Sequence, residues 1–119
     1  MVEQTKDNDQ FILNICLSYG SRGEIVNACQ SIATKVLKQQ IINVHQIDEH
    51  MISQHLQLSD NPDLILRTSG EFRLSNFLLW QSAYSEFFFV NKPWPDIQQQ
   101  DLLQIIHTYS NQRQRRYGK

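Results

Sequence analysis

Two arginines and a run of hydroxyls stand close together in the chain: Arg67-Thr68-Ser69-Gly70-Glu71-Phe72-Arg73-Leu74-Ser75. Guanidinium forks, hydroxyls and a glycine that lets the backbone approach a ligand are what a phosphate oxyanion requires. Further on, Glu86 is a lone carboxylate between two aromatic-rich pieces. A carboxylate near a phosphate site implies a divalent cation, because Mg2+ takes one or two carboxylates together with phosphate oxygens. The chemistry these residue types allow is diphosphate binding. Each also has an ordinary alternative: arginines most often sit in surface ion pairs, Ser75 is a helix-capping type, and Glu86 alone is a solvated strand-end acid. Asn76 reads as a partner for the loop backbone. Arg22 either closes the pocket or pairs with an acid.

The elements that must position these groups follow from hydrophobic patterning. Asp63-Leu64-Ile65-Leu66 is a short buried-type strand. The arginine loop therefore follows a strand's C-terminal end, where open α/β sheets bind ligands. Phe11 to Leu17 is nearly continuously apolar and reads as another strand buried on both faces. It ends in the turn-rich loop Ser18-Tyr19-Gly20-Ser21-Arg22-Gly23. Glu24 to Gln40 reads as an amphipathic helix, with Ile25, Ala28, Cys29, Ile32, Val36 and Leu37 at helical spacing. Strand, glycine-containing loop and helix place N–H groups at a helix start, a weak signal for an anion site.

Asp48 caps a short helix through Leu56, and Ser75 caps one over Asn76 to Ala83. Glu86 to Val90 is a third strand, and Pro93-Trp94-Pro95 a rigid turn. Asp96 caps a final helix from Ile97 to about Arg116, with Leu102, Ile105, Ile106 and Tyr109 inward. Gly118 follows it as a C-terminal cap. The pattern predicts one α/β domain over 1–119, a parallel sheet of short buried strands flanked by helices.

Composition narrows the function classes. The 119 residues are 40% hydrophobic and 19% charged, an ordinary globular balance, and the net charge of −1 gives no global pull toward nucleic acid or membrane. Arg113, Arg115, Arg116 and Lys119 concentrate positive charge in the tail. Cys16 and Cys29 lie in apolar periodic segments and read as small core residues, which suits a reducing, cytoplasmic setting. Met1 to Gln10 is polar, with no signal-peptide core. No apolar run approaches the roughly 18 residues of a membrane span. The four histidines lack zinc-like spacing. Neither GxGxxG nor a P-loop lysine pattern occurs, which weighs against a nucleotide-binding module.

At the arginine loop the chain resembles the cis-prenyltransferases, of the undecaprenyl diphosphate synthase type. The resemblance is close over Asp63-Leu64-Ile65-Leu66-Arg67-Thr68-Ser69-Gly70-Glu71, Arg73-Leu74-Ser75-Asn76-Phe77-Leu78-Leu79-Trp80-Gln81, Ala83-Tyr84-Ser85-Glu86 and Trp94-Pro95-Asp96. Asn14 to Ile25 is similar to the family's strand-loop-helix segment, and Arg113 to Gly118 to its Arg-x-Gly tail. Phe72 departs from a position where a polar residue is frequent, and Ser21 from one where a second glycine is common.

The resemblance implies a transferase that condenses isopentenyl diphosphate with an allylic diphosphate, farnesyl diphosphate in bacteria, with Mg2+, to a cis-polyprenyl diphosphate for lipid-carrier synthesis. It places Arg67, Arg73 and Ser75 on the isopentenyl diphosphate and Glu86 on the metal. Arg116 and Gly118 fall on a tail that reaches the neighbouring subunit's diphosphate. It implies a homodimer, with contact at a membrane surface only transient, for product release. The family's Asp-Gly-Asn-Gly-Arg-type loop is not among these residues. The chain therefore corresponds to the C-terminal half of the fold, with no catalytic residue in this half, and is expected not to turn over alone. The alternative is a non-catalytic partner subunit or inactive fragment, against which stands the joint presence of Arg67, Arg73, Ser75, Glu86 and Arg116.

Overall fold

The computed structural model describes residues 2–41 and 43–112. The tail that carries Arg113, Arg115, Arg116, Gly118 and Lys119 lies outside the described residues. After a single turn, α1 (Val2–Thr5), the main helix is α2 (Ser21–Leu37). Its buried side chains are Ser21, Glu24, Ala28 and Ile32, one stripe at helical spacing. The stripe starts polar and turns apolar, which decides the site described below. The helix stops because Gln39 takes a left-handed conformation, φ 57°. Gln40 N–H then donates to Lys35 C=O and Gln39 N–H to Val36 C=O, both at 2.9 Å, closing the last carbonyls in a Schellman turn.

A 3-10 turn over Val44–Gln46, capped by Asn43, leads to α3 (Glu49–Gln54). Asp48 caps α3 as its residue type dictates, accepting from Met51 N–H at 2.7 Å. Strand β1 (Leu64–Arg67) then pairs in parallel with β2 (Glu86–Phe89), Leu64 opposite Glu86 and Arg67 opposite Phe89. Backbone bonds from Glu86 N–H to Asp63 C=O and from Val90 N–H to Arg67 C=O, each 2.9 Å, extend the ladder at both ends. The last helix, α4 (Gln99–Gln112), follows a 3-10 turn over Trp94–Asp96. Among the described residues the buried apolar side chains are Ala28, Ile32, Ile41, Leu56, Leu78 and Ile105. No described helix is long and apolar enough to cross a membrane.

The α/β class with a parallel sheet holds, and several expected elements do not. Phe11 to Leu17 forms no strand. Phe11, Ile12, Leu13, Ile15 and Leu17 are 67–83% exposed. A strand exists only where its N–H and C=O groups find a ladder, and the described sheet has two strands, not three. The strands that do form are half-buried, not fully buried. The radius of gyration, 17.7 Å, reflects this open shape; a compact chain of this length would have about 13.5 Å.

The helix expected over Asn76 to Ala83 is replaced by turns and a short 3-10 segment, Gln81–Tyr84. Ser75, Asn76 and Leu78 have φ of 48°, 64° and 47°, so Ser75 is no N-cap and the chain cannot run on helically there. Asp96 does not cap α4. Asp101 instead accepts from Gln98 N–H at 2.9 Å. Of the four side chains expected inward on α4, Ile105 is buried, Tyr109 half-buried, and Leu102 and Ile106 are exposed. Both cysteines are exposed rather than core residues. Cys29 borders an apolar cleft of ≈ 500 Å³ with Ile32, Val36 and Ile52.

Candidate functional site

Arg67 ends β1, so its side chain leaves the sheet at the C-terminal edge. Its Nη2 lies 3.5 Å from Ser75 Oγ, a long contact that nevertheless brings a guanidinium and a hydroxyl together in one place. The intervening loop is pinned to the chain after β2. Ser69 N–H donates to Lys92 C=O at 2.8 Å and Gly70 N–H to Val90 C=O at 2.9 Å. Gly70 has φ 68°, and a Cβ there would stand 2.6 Å from Asn91 Oδ1. Its glycine character is thus spent on the turn and on Asn91. The backbone donors of Ser69 and Gly70 are occupied, so anion binding falls to side chains.

Arg73 forms an ion pair with Glu71 and is 63% exposed in its side chain. A surface pair of this kind contributes little to stability and opens easily to a stronger anion. Among the described residues the structure therefore brings Arg67 and Ser75 together directly and holds Arg73 nearby, paired with a carboxylate on the same loop.

Glu86 is elsewhere. It opens β2 opposite Leu64, whereas Arg67 ends β1 opposite Phe89. At about 3.3 Å per residue this places Glu86 roughly 10 Å away along the sheet, at the other ends of the strands. No group of three or more His, Cys, Asp or Glu among the described residues is arranged to hold a metal ion. Mg2+ demands near-octahedral oxygen ligation. With Glu71 engaged by Arg73 and Glu86 distant, these side chains do not fit a Mg2+ site at the loop.

What the sequence reading missed is how the 76–81 segment is fastened. Asn76 C=O accepts from Ser21 N–H and Asn76 Oδ1 from Arg22 N–H, both at 2.8 Å. The start of α2 is therefore capped by Asn76, and the helix-start anion site suggested by the strand-loop-helix pattern is taken. Arg22 meets the site through its backbone. Ser21 Oγ accepts from Leu79 N–H at 3.0 Å. Glu24, 2% exposed, accepts from Tyr19, from Ser21 Oγ at 3.3 Å, from Gln81 Nε2 at 3.1 Å and from Gln57 N–H at 3.1 Å. A buried carboxylate is stable only with such a set of donors. Gln81 also donates to Leu58 C=O at 2.9 Å, while its Oε1 is buried without a partner. Burial, and then the bond to Glu24, push the Tyr19 phenol above its ordinary value of 10.0. The spacing Ser21-x-x-Glu24 is a capping-box signature that could have flagged this cluster. Here the two side chains face the loop, not the helix's own N–H groups.

The chain is similar to a well-populated group of proteins. The family described as "Putative undecaprenyl diphosphate synthase" matches residues 1–118. An isoprenyl transferase of Streptococcus thermophilus is 54% identical over 123 residues, which cover 98% of this chain and 49% of the relative. That of Bacillus subtilis is 48% identical over 119 residues, covering 98% and 45%. Among solved structures, "a probable undecaprenyl diphosphate synthase" from Campylobacter jejuni superposes with a TM-score of 0.80 at 36% identity, covering 98% of this chain and 52% of that one. Lavandulyl diphosphate synthase from Lavandula x intermedia, in complex with dimethylallyl diphosphate, gives 0.72 at 41% identity, covering 84% and 42%. The chain spans about half the length of the curated relatives it matches.

Proposed function

The chain belongs to the undecaprenyl diphosphate synthase family of prenyltransferases, and on that premise we propose that it carries the isopentenyl-diphosphate grip of a cis-prenyltransferase. Residues 1–119 act as one domain, equivalent to the C-terminal half of the enzyme. Arg67 and Arg73 bind the diphosphate as charged forks, and Ser75 donates its hydroxyl. For Arg73 this means exchanging Glu71 for a dianionic ligand, which is favourable because charge-assisted bonds to phosphate outcompete an exposed carboxylate pair. The observation that carries the reading is the meeting of Arg67 and Ser75 at the C-terminal end of a parallel strand.

The reaction is condensation of this alkene with an allylic diphosphate, farnesyl diphosphate or a relative of it, to a cis-polyprenyl diphosphate. The solved relative with dimethylallyl diphosphate supports an allylic partner. Catalysis needs stabilisation of the leaving diphosphate and alignment of two substrates. The arginine loop supplies one substrate's anchor, and the 119 residues alone bind without turning over. Glu86, at the far end of the sheet from the arginine loop, would offer a carboxylate to a Mg2+ only in the assembled enzyme, where the cation would neutralise diphosphate charge. Arg116 and Gly118 would reach the diphosphate of a neighbouring subunit in a homodimer. The exposed Phe72 (78%) and Tyr84 (63%) support such an interface. The setting is cytoplasmic, with brief membrane contact for product release.

Calorimetric titration of isopentenyl diphosphate into the chain tests the reading. Arg67→Ala and Arg73→Ala should each weaken binding about tenfold or more, equivalent to at least ~1.4 kcal/mol. Equal affinity in all three proteins would remove the arginines from the site.

A further inference from the structure

Ser75 has no regular element to hold it. It is exposed, follows the arginine loop, and sits with φ 48°, a conformation that disfavours L-residues other than asparagine or aspartate. Such a backbone persists only where its surroundings over-determine it. The neighbour that does so is Asn76. Its own φ of 64° suits asparagine. Its backbone and side-chain oxygens close the first two N–H groups of α2, at 2.8 Å each. Phe77 then packs edge-on against Tyr19, with ring centroids 5.7 Å apart. One residue thus ties the strained turn to the end of a 17-residue helix.

Gly20 gives independent support. Its backbone is extended, φ −154° and ψ 120°, a conformation open to any residue. A Cβ on Gly20 would nevertheless stand 2.7 Å from Asn76 Nδ2. The absence of a side chain at position 20 is what lets the Asn76 carboxamide lie against the helix start.

We infer that Asn76 is a positioning residue: seated over Gly20 and capping α2, it holds the Ser75 hydroxyl beside Arg67 and so sets the affinity of the loop for a diphosphate. The last clause rests on the function proposed above. The first concerns the free chain and stands apart from it. Asn76 touches no ligand in this account. It acts through Ser75.

The test uses two variants and two readouts. Asn76→Gly keeps the left-handed backbone and the carbonyl, and deletes only the side-chain bond. Gly20→Ala leaves Asn76 in place and pushes its carboxamide off the helix. In the ligand-free chain, each variant should speed hydrogen exchange at the Arg22 amide about tenfold and shift the Ser75 and Arg67 side-chain resonances, while Tm moves by less than about 5 °C. With isopentenyl diphosphate, each should weaken binding about five- to tenfold. The double variant should be no worse than either single, because both break the same contact. Unmoved Ser75 and Arg67 resonances in the free variants would overturn the inference whatever the binding result. Wild-type affinity in Asn76→Gly would do so too. No binding by the wild-type chain would overturn the proposed function, and the free-chain resonances would still decide whether Asn76 positions Ser75.

Discussion

Two regions of this chain have nearly the same apolar, strand-forming composition and opposite fates. Leu64–Arg67 and Glu86–Phe89 lie in register as a parallel pair. Phe11 to Leu17, richer in apolar residues than β1, has no strand assignment and exposes most of its side chains. The difference is the availability of a partner. β1 and β2 are joined by the fastened 76–85 segment, which enters β2 after bonding to α2, to Leu58 through Gln81 and to Pro62 C=O through Ser85 Oγ at 2.6 Å. Among the described residues Phe11 to Leu17 belongs to no ladder. Apolar composition makes a run competent to be a strand, and pairing decides whether it is one.

The sharpest way to break the comparison is one charge placed in each region. Leu66→Asp, in the paired strand, should destabilise the chain by about 3 kcal/mol. Ile15→Asp should change stability by less than about 0.5 kcal/mol, because that side chain is already in water. Urea unfolding midpoints measure both. A large loss from Ile15→Asp would mean that the run is packed in solution.

A smaller effect tests the fastening that brings the strands together. Glu24→Gln preserves shape but replaces an acceptor of four donors with a group that is half donor. It should lower stability by about 2 kcal/mol and loosen the Gln81 and Leu79 contacts. Amide exchange across β1 and β2 should accelerate with it, while Phe11 to Leu17 should exchange at the same fast rate in both proteins. Protection of β2 that survives Glu24→Gln would show that the pair forms without the fastening.

The smallest effect is a pH dependence of the same network. The folded-state pKa of Tyr19 is raised, so the fold favours the neutral phenol. That contribution is complete below the unfolded value near 10 and is lost as pH rises through the folded value. Absorbance titration should find Tyr19 ionising above the ordinary phenol value of 10.0, accompanied by a modest fall in Tm. Ionisation of Tyr19 at its ordinary value would place it outside the Glu24 cluster.

Some of this architecture was legible because it depends on local chemistry. Asp48 caps α3 through its own carboxylate, α2 follows from the spacing of Ala28 and Ile32, and the two short strands near the arginine loop were found within a residue of their bounds. The stretch from Asn76 to Ala83 misled because its composition is helical, whereas its backbone is dictated by bonds to residues 21, 22 and 24, far away in the chain. Propensity is worth tenths of a kcal/mol per residue, and a set of long-range bonds to a buried carboxylate outweighs it. Glu86 was grouped with the arginines by closeness in sequence. The parallel register separates them, because a strand that begins at Glu86 runs the same way as one that ends at Arg67.

By itself, then, the sequence determined the residue chemistry: two arginines, a serine and a glycine turn suited to a diphosphate, in an order similar to that of the prenyltransferases. Only the tertiary structure decided which of them meet. It brought Ser75 to Arg67, set Arg73 against Glu71, left Glu86 at the other end of the sheet, and assigned the start of α2 to Asn76 rather than to an anion. The reason is that a side chain's type is local, whereas its neighbours are chosen by backbone hydrogen bonds between segments far apart in sequence.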